Sequence, residues 1–398
     1  MIRNAEADQI LTPVAGGYRA YSLLNLTNRL LHSTQGFGLA PLHWLTQRGP
    51  YQDGETILGM RWDTRTIQIL LAESLCQRVD LWDRRWDILD LLRPNRAFGD
   101  TVRPHIYRKW LPAGKPERGI DGIITAGDAT LTSHDARFVE RGLDPGATVT
   151  VSGTAADDGP YTVLAVPNDY TVILDPAGGW VNSEANVHWH YRRGWGKRDL
   201  YVLLEQGPSF NEGPGSRPYH PNGYREALRF IAHDPFWYGM EQSQTWELDV
   251  TFGDLVFDGL GAWFGSVPGI GRWLFAPTFV GETVAVVYWG TEGAKPIIKI
   301  DGPAENPLIE NTTIGARMEM DYTVAAAETV TIDTLALTVT NNAGTNLMPY
   351  LSGDLATFQL SPSPQAPDRQ NEVFVSFSSG VAGQSAARMT WRNRHVGI

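Results

Sequence analysis

Every apolar stretch in this chain is short. Between Gly119 and Tyr191 the sequence reads IITAGDATLTSHDARFV, ATVTVSG, PYTVLAV and YTVILD, each run stopped by Gly, Pro, Asp or Asn. The same texture returns in IIKIDG, IENTTIGARMEMDYTV, ETVTIDTLALTVTNN and EVFVSFSS, where apolar and polar residues alternate at period two. A helix needs about three turns before it can bury an apolar stripe, whereas a strand needs only alternation over a few residues to place one face on a core. The 41 Gly and 25 Pro residues, spread without a period, supply the turns between such strands. A mainly β fold of antiparallel sheets follows.

With 398 residues, 42% hydrophobic and 19% charged, the chain is long enough for two or three packed domains and too apolar for disorder. Its single cysteine, Cys76, excludes an intrachain disulfide framework and points to assembly in a reducing cytoplasm. The opening MIRNAEADQILTPV lacks the apolar core of a secretory signal. The most apolar region, between Gly259 and Gly290, is cut by Pro268, Gly269, Gly271, Arg272 and Pro277, so no membrane insertion is expected. Net charge is −11, and residues 241–398 hold 8 Lys+Arg against 17 Asp+Glu while residues 1–240 hold 25 against 27. No basic stripe of the kind that grips phosphates emerges.

Turn chemistry divides the first part into strands near 19–24, 56–62 and 65–72. One helix is expected over 81–92, LWDRRWDILDLL, with Asp80 as N-cap and with Trp82, Trp86, Leu89 and Leu92 on its buried face. Asp80, Asp83, Asp87 and Asp90, interleaved with arginines, read as a solvated face rather than a metal cluster. KWLPAGKPERG and RRGWGKRDLYVLLEQGPSF read as two halves of one polar hairpin, which makes the β-rich segment between them an insertion at a hairpin tip. The expected layout is an N-terminal domain of residues 1–118 plus 192–244, a small inserted β-barrel or sandwich over 119–191, and a C-terminal β-sandwich over 245–398.

Catalytic signatures are absent: the sequence has no phosphate-binding glycine loop, no H-E-x-x-H, no paired C-x-x-C and no nucleophile elbow, Gly265-Ser266 and Gly269 having the wrong spacing. His188-Trp189-His190 places two imidazoles on one strand face without a third ligand. His134-Asp135 and His233-Asp234 are read as turn histidines rather than triad members. No catalytic residue, cofactor or metal is therefore assigned, and no enzymatic activity is expected. The 14 tryptophans instead draw attention to Trp237, Tyr238, Trp246, Trp263, Phe264 and Trp273 near the proposed boundary. Aromatics with little intervening charge are the natural anchors of a protein interface, an ordinary core or a sugar-stacking platform.

STQGFGLAPLHWLTQRGPYQDGETILGMRWDTRTIQILL, the helix DLLRPNR, the hairpin from LPAGK to RDLYVLLEQGPSF, and EALRFIAHDPFWYG resemble the distal tail (Dit) proteins of long-tailed bacteriophages (siphophages). KPIIKIDGPAENPLIENTTIGARMEMDYTVAAAETVTIDT with NEVFVSFSS is similar to the second domain of that family, so the resemblance covers nearly everything except 119–191. It implies an N-terminal β-sandwich ring domain with one α-helix and a long hairpin that reaches a neighbouring subunit. It also implies a C-terminal galectin-like or carbohydrate-module-like β-sandwich facing outward. By the same resemblance the protein is a structural virion component at the distal end of the tail. There a homohexameric ring joins the tail tube protein to the hub protein of the tail tip or baseplate, next to the tape measure protein. DNA passes through the channel without sequence-specific binding. The hairpin expected to reach the neighbour is residues 103–118 with 192–206. The alternative function is host attachment, with the C-terminal or inserted domain binding a receptor-binding protein or a host glycan.

Overall fold

The computed structural model of the chain describes residues 8–14, 17–23, 29–74, 86, 88–90, 92, 104–111, 113–126, 128–175, 183–194, 196–207, 223–247, 280–381 and 384–398. Within them the fold is mainly β. The chain forms two compact units, one of residues 1–240, 290–292 and 393–398, the other of residues 241–289 and 293–392. It passes between them after Met240, Trp289, Glu292 and Arg392.

The first unit opens with β1 (Gln9–Val14), β2 (Gly17–Ser22), β3 (Arg29–Gln35), β4 (Leu42–Gln47), β5 (Thr56–Trp62), β6 (Arg65–Ser74) and β7 (His105–Trp110). After β8 (Pro116–Thr125), β9 (Thr130–Thr132), β10 (Thr148–Ser152), β11 (Gly159–Asn168), β12 (Thr171–Asp175) and β13 (Glu184–Arg192) come β14 (Lys197–Gln206), β15 (Gly223–Ala232) and β16 (Trp237–Glu247), the last of which runs on into the second unit. One sheet of this unit pairs β2, β1, β7 and β14; a second pairs β14, β15, β6 and β3. Strand β14 serves both because it carries a register shift between Leu204 and Gln206, the kind of irregularity that bends a strand from one sheet to the next. Ile67, Ile69 and Leu71 of β6 and Leu228, Phe230 and Ala232 of β15 alternate inward, meeting Ile10, Tyr107, Leu200, Val202 and Trp237 in one core.

The helix contributes to this core differently from the expectation. Of residues 81–92, Trp86, Ile88, Leu89, Asp90 and Leu92 are described and are helical. Ile88 and Leu92, one turn apart, are buried, whereas Trp86 is 67% exposed and Leu89 is exposed as well. The buried stripe is thus rotated away from the tryptophan; Trp82 and Asp80 lie outside the described residues. Asp90 faces solvent beside Arg19 at 3.6 Å, as a solvated face should. Ile88→Ala or Leu92→Ala should each cost about 2–4 kcal/mol, and Trp86→Ala less than about 0.5 kcal/mol, in denaturant midpoints of the monomer. An equal loss from Trp86→Ala would place its ring inside.

Strands β8 to β13 close into a barrel in the order β10-β11-β12-β9-β8-β13. Its interior is filled by Leu131, Phe138, Val149, Val151, Val163, Val172, Leu174, Val187, Trp189 and Tyr191. A Cβ on Gly119 would come within 2.4 Å of the Trp189 ring, so glycine there is what lets the indole lie against the strand. The barrel stands at the end of the ladder formed by β7 and β14. The hydrogen bonds Leu111 N to Gly196 O, Gly114 N to Arg193 O and Arg193 N to Lys115 O, at 2.8, 2.8 and 2.9 Å, carry that ladder into the pairing of β8 with β13.

In the second unit, β17 (Val280–Val287), β18 (Ile297–Asp301), β19 (Ala304–Glu305), β20 (Leu308–Asn311), β21 (Ala316–Met320), β22 (Thr323–Val324), β23 (Thr329–Asp333) and β24 (Thr338–Asn341) are followed by β25 (Leu351–Gly353), β26 (Gln370–Phe377), β27 (Ser379–Gly380) and β28 (Ala386–His395), the last of which runs on into the first unit after Arg392. The sheets β28-β18-β23-β24 and β17-β26-β20-β21-β25 enclose one core, to which Ile298, Ile300, Ile332, Met318, Val373, Val375, Met389 and Trp391 contribute. Inside it, Asn371 takes a hydrogen bond from Ser361 N and gives one to Ser361 O, at 2.8 and 3.0 Å. No helix among the described residues is long and apolar enough to cross a membrane.

Candidate interaction surface

Strands β4 and β5 form a two-stranded sheet that pairs with no other described strand. Their connection is a polar turn in which Gln52 N donates to Gly49 O and the Gln52 side chain donates to Thr56 Oγ1. Gly54 takes a positive φ of 84° there, which favours glycine. The base of the hairpin is fixed: Asp63 N donates to Pro41 O at 2.8 Å, and the Trp62 indole donates to Glu292 at 2.8 Å while meeting Phe236 edge-on.

Beyond the base the hairpin is apolar and uncovered. Trp44 pairs across from Met60, and Thr46 from Ile57, on one face, with a bulge between Leu45 and Thr46 displacing Leu58. Trp44 is 51% exposed, Ile57 and Leu58 62% each, and Met60 56%, while Tyr51 at the turn is fully exposed. Two isolated strands with large apolar side chains in water are marginal at best, and soluble proteins seldom leave such a patch bare unless it has a partner.

The hairpin expected to reach outward lies elsewhere. Residues 105–110 and 197–202 pair as the sequence suggests, from Val202 against His105 to Lys197 against Trp110. Their side chains Ile106, Tyr107, Leu200 and Val202 are buried, however, because the two strands are central in their sheet. Asp199 holds Arg108 there through two hydrogen bonds of 2.7 and 2.9 Å.

The aromatic residues singled out as anchors sit as follows. Trp237 is fully buried between Phe37 and Tyr107, with ring centroids at 5.6 and 6.0 Å. Tyr238 is buried, with its hydroxyl donating to Asp234, and burial first, then the Asp234 charge, pushes its pKa well up. Trp246 belongs to the core of the second unit. Trp263, Phe264 and Trp273 lie outside the described residues. Among the described residues Trp44 and Tyr51 of the β4–β5 hairpin are exposed, whereas Trp237, Tyr238 and Trp246 are buried within the chain. The missed signal was adjacent apolar pairs, Trp44-Leu45 and Ile57-Leu58, which give a strand two apolar faces.

No histidine assembles into a catalytic or metal-binding group among the described residues. His188 and His190 point outward from β13, and His134 faces Asp135 at 3.6 Å near the surface. Asp234 is occupied by Tyr238 and by Arg394 at 3.3 Å, leaving His233 exposed beside it. No group of three or more His, Cys, Asp or Glu residues could hold a metal ion there.

One buried polar cluster does form within the first unit. Glu140 of the barrel pairs with Arg198 of β14, lies 3.8 Å from Arg137 and sits 3.4 Å from His395 Nε2. Nearby, Asp169 accepts from Asn393 at 2.7 Å and from Glu140 N at 2.7 Å. Burial pushes the His395 imidazole down to about 4, although Glu140 opposes this. Burial also resists ionisation of Glu140, but His395, Arg198 and Arg137 outweigh it and hold the carboxyl below its ordinary value.

Both shifts mean that the unfolded chain binds more protons in acid. Stability should therefore be full above pH 6.5 and fall as pH drops toward 4, on the order of 3 kcal/mol of the loss coming from His395. His395→Gln should flatten denaturant midpoints between pH 7 and 4.5; an unchanged slope would remove His395 from the effect.

No protein-family model matches the sequence, and no curated protein matches it. Among solved structures the chain is similar to the Dit protein of phage SPP1, described as a paradigm of the hub adsorption apparatus in phages infecting Gram-positive hosts. That likeness has a TM-score of 0.47 and 12% identity over 98% of this chain and 99% of that one. The chain is also similar to a component of the phage P2 baseplate in its activated conformation with calcium, with a TM-score of 0.38 and 8% identity over 97% of each chain.

Proposed function

We propose that this chain is a structural protein of a phage tail tip, a non-enzymatic distal tail component that closes into a ring with copies of itself. The observation that carries the reading is the β4–β5 hairpin, anchored at its base and apolar beyond it. A ring requires a heterologous contact, in which a projecting element of one subunit meets a different surface on the next. The hairpin is such an element. The order of segments resembling distal tail proteins in the sequence supports the same reading. The ring is hexameric, joins the tail tube to the hub near the tape measure protein, and surrounds the DNA channel at the distal end of the virion tail.

In this reading residues 1–118 with 192–244 build the ring, 119–191 are an inserted barrel, and 245–398 carry the outward sandwich. Solution mass by light scattering, with negative-stain imaging of the same peak, tests it. A particle about six times the 44.0 kDa chain with a central hole is expected. A monomer that persists when tail tube protein is added would refute it. Replacing 119–191 by a short turn should leave the number of subunits unchanged, since β7 and β14 continue one ladder on either side. Loss of the oligomer in that variant would assign the contact to the barrel.

A second reading, host-glycan binding by the second unit, is favoured by one surface cluster. Tyr350 is exposed with its ring 5.3 Å from that of Tyr322, whose hydroxyl donates to Glu328 at 2.9 Å, and Asn341 donates to the same oxygen. Aromatic rings beside a carboxylate and an amide match the apolar faces and hydroxyls of a sugar. Flat fluorescence titrations of the full chain across host polysaccharides would exclude it.

A further inference from the structure

Residues 393–398 come after the second unit in the chain, yet they belong to the first. Val396 is buried, and its carbonyl accepts from the Arg65 guanidinium and from Ala40 N at 3.1 Å. Gly397 O accepts from Arg198 at 3.1 Å. Asn393, almost fully buried, donates to Asp169, and Arg394 lies 4.3 Å over the Phe236 ring while pairing with Asp234. This short segment therefore touches the barrel, β14, the loop before β4 and the turn before β16. Its backbone supplies one of the four carbonyl acceptors of the buried Arg65 guanidinium, the one bonded to Nη2.

The partners are distant in sequence: Arg65 and Val396 stand 331 positions apart. Closing so long a loop directly is slow, because the entropy of closure must be met before any contact forms. Folding of the second unit shortens it. Thr291 N and Glu292 N both donate to Arg394 O, at 2.8 and 3.2 Å, so the chain leaving for the second unit and the chain returning from it run side by side. Meanwhile Ala386 to Thr390 of β28 are zipped against β18, from Asp301 to Ile297. Residues 393–398 thus follow directly on a strand that the second unit holds by pairing.

We propose that residues 393–398 are a closing strap: the first unit completes its core only after the second unit has been made and folded, and a chain stopped short of the strap leaves the first unit open. In an assembling particle this would withhold incomplete chains. The proposal does not depend on the ring reading, because closure occurs within one chain.

Pulsed hydrogen exchange during refolding of the full chain tests the order, read by mass spectrometry without reference to oligomeric state. Amides of β18, β23 and β26 should gain protection before those of β6 and β15. A second variant, a chain ending at Arg392, retains the β28–β18 pairs. In it β6 and β15 should lose about a hundredfold of native protection while β18 and β26 keep theirs. Protection of β6 and β15 first in the full chain would overturn the proposal. So would a shortened chain that keeps protection in both units or loses it in both alike.

Discussion

Arg65→Met should lower the unfolding free energy of the first unit by about 4 kcal/mol or more. The Arg65 side chain is almost fully buried, and its Nε donates to Pro235 O at 2.9 Å while Nη1 donates to Gly36 O and Gly38 O at 2.8 and 2.7 Å. Nη2 donates to Val396 O, and the guanidinium lies 5.9 Å from the Trp237 ring centroid. Burial pushes its pKa down to about 10, which leaves it charged at neutral pH. Methionine fills much of the volume but donates nothing. The carbonyl of Pro235 would be left buried without its bond, at about 1–3 kcal/mol, and that of Val396 would keep only the bond from Ala40 N. Those of Gly36 and Gly38 lose charge-assisted bonds at a site closer to water. The loop has little freedom to adjust, since Gly36 has a φ of 91° and its Cβ position lies 2.1 Å from Thr66 O. Arg65→Lys keeps the charge but not the planar fork, and should recover less than half of the loss. Denaturant midpoints of both variants check this; a loss under about 1 kcal/mol for Arg65→Met would show that water takes over the four acceptors.

On the proposed ring, Trp44→Asp combined with Met60→Asp should weaken self-assembly by about a thousandfold, the effect expected of two interface anchors worth about 2 kcal/mol each. These side chains face each other across the exposed hairpin, so neither substitution opens a core. The monomer's denaturant midpoint should stay within about 0.5 kcal/mol. Light scattering across a concentration series separates the two quantities. Undiminished assembly of the double variant would move the subunit contact off the hairpin, whereas a large drop in monomer stability would make the hairpin part of the fold.

Much of the β architecture was legible because alternation reports local burial. The runs ATVTVSG, PYTVLAV and YTVILD become β10, β11 and β12, and IIKIDG becomes β18. Thr56–Trp62 is a strand as read, but its period does not reveal whether a partner sheet covers it; that depends on where the rest of the chain goes. The helix shows the converse. Spacings of three and four pointed to Trp86, Leu89 and Leu92; Leu92 is buried as read, but its companion one turn back is Ile88, and the two share the core with residues of β6 and β15. Arg65 carries no mark in the sequence that sets it apart from the other arginines. Its role depends on carbonyls from Gly36, Pro235 and Val396, and a backbone carbonyl leaves no mark on residue type. The return of residues 393–398 was hidden for the same reason.

The barrel joins its ladder through hydrogen bonds on both chains rather than through a flexible tether, and Glu140 and Asp169 fasten its side. Its bearing is consequently set by strand register. Copies arranged about an axis would present their barrels at constant spacing and tilt, so that weak contacts made by each could add as avidity toward a surface with matching periodicity, at an effective concentration fixed by geometry instead of by linker length.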